Sequence, residues 1–189
     1  LVASAHTLQH TSTICPYTTL FRSTREIGPQ KSVALLNYFF SVMGGIVFKH
    51  GGIVDKYLGD GFLALFGAPV STPLDAENAL SAALEMQAAI ADVNEEYVQD
   101  IVSEPVNIGV SVFTGEVVVG NIGFDMKMDY TVIGDAVNNV FKLQELTKFK
   151  NNSVVIAENT SRAAQSPLEL RELDSNVDDI KVYELLGRK

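Results

Sequence analysis

The chain predicts an α+β domain, a mixed sheet sandwiched by helices. Three observations carry that reading. From Pro29 onward, Val33, Leu36, Phe40, Met43 and Val47 recur every three or four residues and give one apolar helical face. Two short β-prone runs, Gly52-Ile53-Val54 and Leu63-Ala64-Leu65-Phe66-Gly67, flank a Gly59-Asp60-Gly61 tip, the pattern of a β-hairpin. Beyond residue 74, helix-length periodic stretches alternate with short β-prone runs, as in a mixed sandwich.

Composition bounds what such a domain can do. A chain of 189 residues suits one domain with a sizeable core, and the 47% apolar content is that of a globular protein. A net charge of −9 argues against a nucleic-acid-binding face. The one cysteine excludes an internal disulfide and fits a reducing, cytoplasmic setting. No apolar run approaches the ~20 residues of a membrane span, so no membrane contact is expected of the domain itself. Residues 1–13 lack the basic start and apolar core of a signal peptide.

The elements follow in order. Residues 1–23 are rich in Thr, Ser and His without sustained period and read as a non-native segment or an irregular N-terminal arm, with the domain proper at 24–189. Pro16-Tyr17-Thr18-Thr19-Leu20-Phe21-Arg22-Ser23 resembles the conceptual translation of a short-read sequencing adapter. His6, His10 and Cys15 match no metal-ligand spacing. In the helix from Pro29, Leu35, Phe39 and Ile46 widen the apolar face, Gly44-Gly45 permits close packing, and His50-Gly51-Gly52 ends it. Residues 68–73 form a loop. Residues 74–98 form a long helix with an Ala79, Ala82, Ala83, Met86, Ala89, Ile90 stripe and with Asp75 and Glu77 in its first turn. Glu95-Glu96 reads as a solvated helix end. Residues 106–114 and 116–120 read as two strands turned at Thr114-Gly115, 124–127 as an exposed loop and 130–133 as a strand. Asp135 is placed as a cap or first-turn acid of a helix running to about 148. A strand at 154–156, a short helix at 158–164 and strands at 169–173 and 181–186 complete the chain.

Three longer runs narrow the class. The stretch from His50 to Pro69, containing Asp55-Lys56-Tyr57-Leu58-Gly59-Asp60-Gly61-Phe62, resembles the central signature of class III nucleotidyl cyclase catalytic domains. Thr114-Gly115-Glu116-Val117-Val118-Val119-Gly120-Asn121-Ile122-Gly123 and Asp129-Tyr130-Thr131-Val132-Ile133-Gly134-Asp135-Ala136-Val137-Asn138 resemble its next two signatures, in the family's order. The resemblance covers residues 29–186 and implies a ferredoxin-like βαββαβ core sheet with flanking helices. It implies conversion of ATP to 3′,5′-cyclic AMP and pyrophosphate, with two Mg2+ or Mn2+ ions per site and a head-to-tail homodimer.

Family roles carry over position by position. Asp60 matches one of two metal-binding aspartates. The other belongs on a first strand, yet no Asp precedes Asp55, so the chain is expected to lack its native first strand and to be impaired as it stands. Lys56 falls where adenylate-forming members carry Lys, whose ammonium donates to adenine N1. Thr131 falls at the second base-contacting position, where a hydroxyl accepts from the adenine amino group. Asn138 matches the ribose-orienting Asn. Lys142 stands where the family has a phosphate-stabilising Arg; it keeps the charge but loses the bidentate fork. The family's Lys-Gly-Lys is replaced by Asp174-Ser175-Asn176, with Asp178 and Asp179 following, so Lys181 or another cation would have to serve the triphosphate. The resemblance implies an adenylate cyclase catalytic domain cut from a longer parent with an upstream sensor, whose membrane anchorage stays open. The alternative is a degenerate, nucleotide-binding regulatory domain. Lys56 disfavours a guanylate-forming enzyme, and no Ser-His-Asp or His-rich constellation supports a hydrolase.

Overall fold

The computed structural model describes residues 6–18, 28–99, 104–147 and 153–189. Its elements are β1 (His6–Thr18), α1 (Pro29–Lys49), β2 (Ile53–Leu58), β3 (Gly61–Phe66), α2 (Asp75–Val93, prolonged by a π-helical turn, Asn94–Val98), β4 (Ile108–Phe124), β5 (Lys127–Ile133), α3 (Asp135–Thr147), β6 (Ser153–Ala157), α4 (Glu158–Ala163), β7 (Leu168–Val177) and β8 (Ile180–Arg188). One mixed sheet runs β2-β3-β1-β4-β6-β8-β7, and β5 pairs with β4. The predicted α+β class and nearly all predicted elements are present.

Helices cover both faces. On one, Leu35, Phe39 and Met43 of α1 and Ala79, Ala83 and Met86 of α2 pack with Ile14, Phe62, Ala64, Phe66, Val110 and Ile156. On the other, Val140 and Leu143 of α3 pack with Cys15, Leu63, Leu65, Phe113 and Val155. All six residues of β3 are buried, which is why its sequence reads as an unbroken apolar run rather than alternating. Each fully buried large side chain here contributes about 1.5–3 kcal/mol. Burial pushes the Cys15 thiol up to about 12, so it stays protonated. Helix α1 is long and apolar enough to cross a membrane by length and composition, contrary to the sequence expectation, but its buried face is committed to this core. At its end His50 Nε2 lies 2.8 Å from Glu85 of α2, which Lys49 and His50 hold below the usual carboxylate range.

Two expectations are corrected. The sheet does not lack a first strand. β1 occupies its centre, antiparallel to β3 (Ile14 opposite Ala64) and to β4 (Thr13 opposite Phe113). The segment read as irregular because its inward positions are polar: Thr11, Ser12 and Thr13 are buried. Ser12 and Thr13 are satisfied across the strands, Ser12 Oγ to Thr114 Oγ1 at 2.7 Å and Thr13 Oγ1 donating to the Phe113 carbonyl at 3.1 Å. Pro16 and Thr18 of the adapter-like octapeptide belong to this strand, while residues 19–23 lie outside the described residues.

Nor do residues 106–120 form two strands with a turn at Thr114-Gly115; β4 runs unbroken from Ile108 through that pair to Phe124. Gly115 is there for contact. A Cβ on it would lie 3.1 Å from the Ala136 Cβ, and one on Gly109 would lie 2.1 Å from Thr147 Oγ1, so glycine at both lets α3 lie directly on β4. The predicted 124–127 loop is the tight end of the β4–β5 hairpin, with Phe124 paired to Lys127.

The loop before α2 is tied down by one carboxylate. Buried Asp75 accepts from Ser71 Oγ at 2.8 Å, Thr72 N at 2.7 Å and Thr72 Oγ1 at 2.7 Å. Asp75→Ala strands these donors and is expected to lower stability by about 2–3 kcal/mol in urea unfolding with an unchanged m-value.

Candidate active site

The β2–β3 hairpin positions the first predicted residues. Asp60 sits at its tip, after Gly59 in a left-handed conformation (φ 69°), and is 5% exposed. Lys56 lies on β2 and Thr131 on β5. The fold brings these two together: Lys56 Nζ donates to Thr131 Oγ1 at 2.7 Å. Asp55, Lys56, Asp129, Tyr130 and Thr131 line a pocket of about 260 Å³. Residues 75 positions apart in the sequence thus meet.

The sequence reading missed Asp55. Its side chain is 1% exposed; its Oδ2 accepts from Thr131 Oγ1 at 3.1 Å and lies 3.2 Å from Lys56 Nζ. The reason it can do so is a register shift: Val54 pairs with Ala64 and Lys56 with Leu63, so Asp55 is the extra residue of a β-bulge. In a regular strand, neighbours point to opposite faces; a bulge re-aims them. No spacing rule signals a bulge, so nothing in the sequence marked this residue.

Asn138 and Lys142 lie on the exposed side of α3, one turn apart as predicted. They do not line the Lys56–Thr131 pocket. Lys142 Nζ instead bonds both carboxylate oxygens of Asp178 at 2.7 Å. Asp178 and Asp179 form the two-residue β7–β8 turn, both at positive φ (49° and 63°), the conformation that Asp tolerates in tight hairpins. Lys181, the candidate substitute cation, is bound to Glu172 at 2.8 Å, which raises its pKa.

Among the described residues the donor set around Asp60 does not fit a two-metal centre. β1 ends beside the hairpin tip, with Tyr17 opposite Gly61, so the same register carries Thr18 to the position facing Asp60. Neither is a carboxylate. Among the described residues no group of three His, Cys, Asp or Glu side chains could hold a metal ion.

The family model described as "Adenylate and Guanylate cyclase catalytic domain" matches residues 11–189, and the chain belongs to that family. It is 30% identical over 195 residues to an "Adenylate cyclase" of Anabaena cylindrica, covering 97% of this chain and 38% of that protein. In fold it is similar to the adenylyl cyclase CyaB from P. aeruginosa (TM-score 0.90, 23% identity, 98% of this chain and 97% of that one). It is likewise similar to the guanylyl cyclase Cya2 (TM-score 0.86, 28% identity, 100% and 96%). The chain spans about two fifths of the curated Anabaena relative's length.

Asp178→Asn removes the negative charge that holds Lys142 and is expected to tighten binding of a fluorescent ATP analogue about threefold at low salt, an effect that fades as salt screens it. Anisotropy titrations at two ionic strengths check this.

Proposed function

We propose that this domain is of the adenylate type and forms 3′,5′-cyclic AMP from ATP. The observation that carries the reading is the Lys56–Thr131 pair, 2.7 Å apart and lining one pocket. Lys56 offers N–H to the N1 acceptor of adenine, and Thr131 offers a lone pair to its amino group. Guanine reverses both, presenting N1–H and a carbonyl oxygen. Each mismatched polar contact in such a site is worth about 1–3 kcal/mol, so base choice is the most legible property here. The Anabaena relative's description as an adenylate cyclase agrees.

The reaction forms a bond from the ribose 3′ oxygen to the α-phosphorus, releases the hydroxyl proton and expels pyrophosphate. Asn138 would orient the ribose and Lys142 would balance charge on the phosphates. Lys142 must first leave Asp178, and as a point charge it gives less than a guanidinium fork. Family members rely on divalent metal to activate the hydroxyl. Among the described residues β1 brings no carboxylate to the hairpin tip that carries Asp60, so no step is assigned to metal in this chain and turnover is expected to be slow.

The second reading, a nucleotide-binding domain that regulates without turnover, is favoured by the same two observations: Thr18 facing Asp60 and Lys142 bound to Asp178.

Dimerisation belongs to the proposal too. The β4–β5 hairpin exposes Ile122 (39%), Phe124 (65%), Met126 (89%), Met128 (46%), Tyr130 (45%) and Ile133 (54%), an apolar arm of the kind that marks a protein interface. A head-to-tail second copy would cover it and bring Asn138 and Lys142 of one protomer to the partner's hairpin.

Two tests follow. Competition binding should rank ATP at least about tenfold over GTP, and Lys56→Glu should reverse the order; equal binding of both bases would remove the adenylate assignment. Thr18→Asp, which places a carboxylate across from Asp60, should raise manganese-dependent cyclic AMP formation about tenfold or more. Binding without turnover in that variant would favour the regulatory reading.

A further inference from the structure

We propose that Asp55 is the positioning residue that sets the base preference of this pocket, by fixing the polarity of the Thr131 hydroxyl; this rests on the adenylate reading above.

A threonine hydroxyl has one proton and two lone pairs, and left free it rotates to donate or accept as a ligand requires. Thr131 is not free. Lys56, an ammonium with donors only, points at its oxygen from 2.7 Å and can be answered only by a lone pair. The Asp55 carboxylate, an acceptor only, stands 3.1 Å away and can be answered only by the proton. The triangle closes with Lys56 Nζ 3.2 Å from the same Asp55 oxygen. Thr131 therefore keeps one lone pair for a ligand and no proton. Lys56 commits two of its three N–H groups to Asp55 and Thr131 and keeps one.

The pocket thus shows a donor beside an acceptor in a fixed order. That order pairs with N1 and the amino group of a 6-aminopurine and opposes the N1–H and carbonyl of a 6-oxopurine at both atoms. Asp55 achieves this from behind. It is 1% exposed, and the bulge that places it directs two adjacent side chains, Asp55 and Lys56, at the same partner. Without Asp55 the hydroxyl could turn its proton to the ligand, and the second half of the discrimination would vanish while Lys56 still faced N1.

The test separates Thr131 from Lys56 by ligands that all keep N1 as an acceptor. The full chain would be titrated, by competition against a fluorescent ATP analogue, with ATP, with purine riboside triphosphate (no 6-substituent) and with 6-methoxypurine riboside triphosphate (an acceptor at the 6-position). The wild type should rank them in that order, with about tenfold between ATP and the unsubstituted base and a further several-fold loss for the methoxy base. In Asp55→Ala the methoxy and unsubstituted bases should come within about twofold of each other. Asp55→Asn, whose carbonyl oxygen can still accept from Thr131, should keep most of the wild-type spread.

An unchanged ranking in Asp55→Ala, or equal losses in the Ala and Asn variants, overturns the role of Asp55 while leaving the adenylate reading standing. A wild type that takes the methoxy base as well as the unsubstituted one overturns it without any variant, and decides the matter should Asp55→Ala not fold. A wild type with no preference for ATP over GTP removes the adenylate reading and this inference together.

Discussion

The pairing of β1 with β4 is the constraint on which the rest of the domain depends. β1 lies at the centre of the sheet, with β3 on one edge and β4 on the other, and no other element joins the β2–β3 hairpin to the body of the molecule through backbone hydrogen bonds among the described residues. Its successive residues serve both faces, Ile14 packing under α1 and α2 and Cys15 packing on the side of α3. The buried hydroxyls of Ser12 and Thr13 find partners on β4, so the strand gains register as well as burial. Every proposed functional group inherits its position from that pairing: Asp60, Asp55 and Lys56 through β3, and Thr131 and the α3 residues through β4.

Within this frame the base end and the phosphate end of the proposed site are unequally equipped. At the base end, one ammonium and one hydroxyl are held by a buried carboxylate, an arrangement that loses little entropy on binding because it is already set. At the phosphate end, Lys142 is tied to Asp178 and Lys181 to Glu172, both in half-exposed pairs whose net attraction is small and salt-dependent. With a net charge of −9, the chain has few cations to spare. Recognition of the purine is therefore expected to exceed grip on the triphosphate, the reverse of a site built mainly on phosphate contacts.

The sequence by itself determined the class of fold, the order of nearly all elements and the family. These are local properties. The 3.6-residue stripe on α1, the Gly-Asp-Gly tip and the Ala-rich face of α2 each encode their own geometry, and the signature runs around Asp60, Gly115 and Thr131 are contiguous. The proposal for Lys56 and Thr131 rests on the same kind of signal, each lying at a fixed place in such a run.

What only the tertiary structure decided is long-range or register-dependent. β1 was invisible because polar residues face inward, and their satisfaction depends on Phe113 and Thr114, about a hundred residues away. Gly115 looked like a turn until α3 was laid against it, since a glycine that makes room and a glycine that bends the chain are the same letter. Asp55 was passed over because an alternating strand would send it away from Lys56, and a bulge, which depends on how two strands slide past each other, turns it back. The partner of Lys142 was hidden likewise, for Asp178 meets it only where the β7–β8 turn folds back over α3.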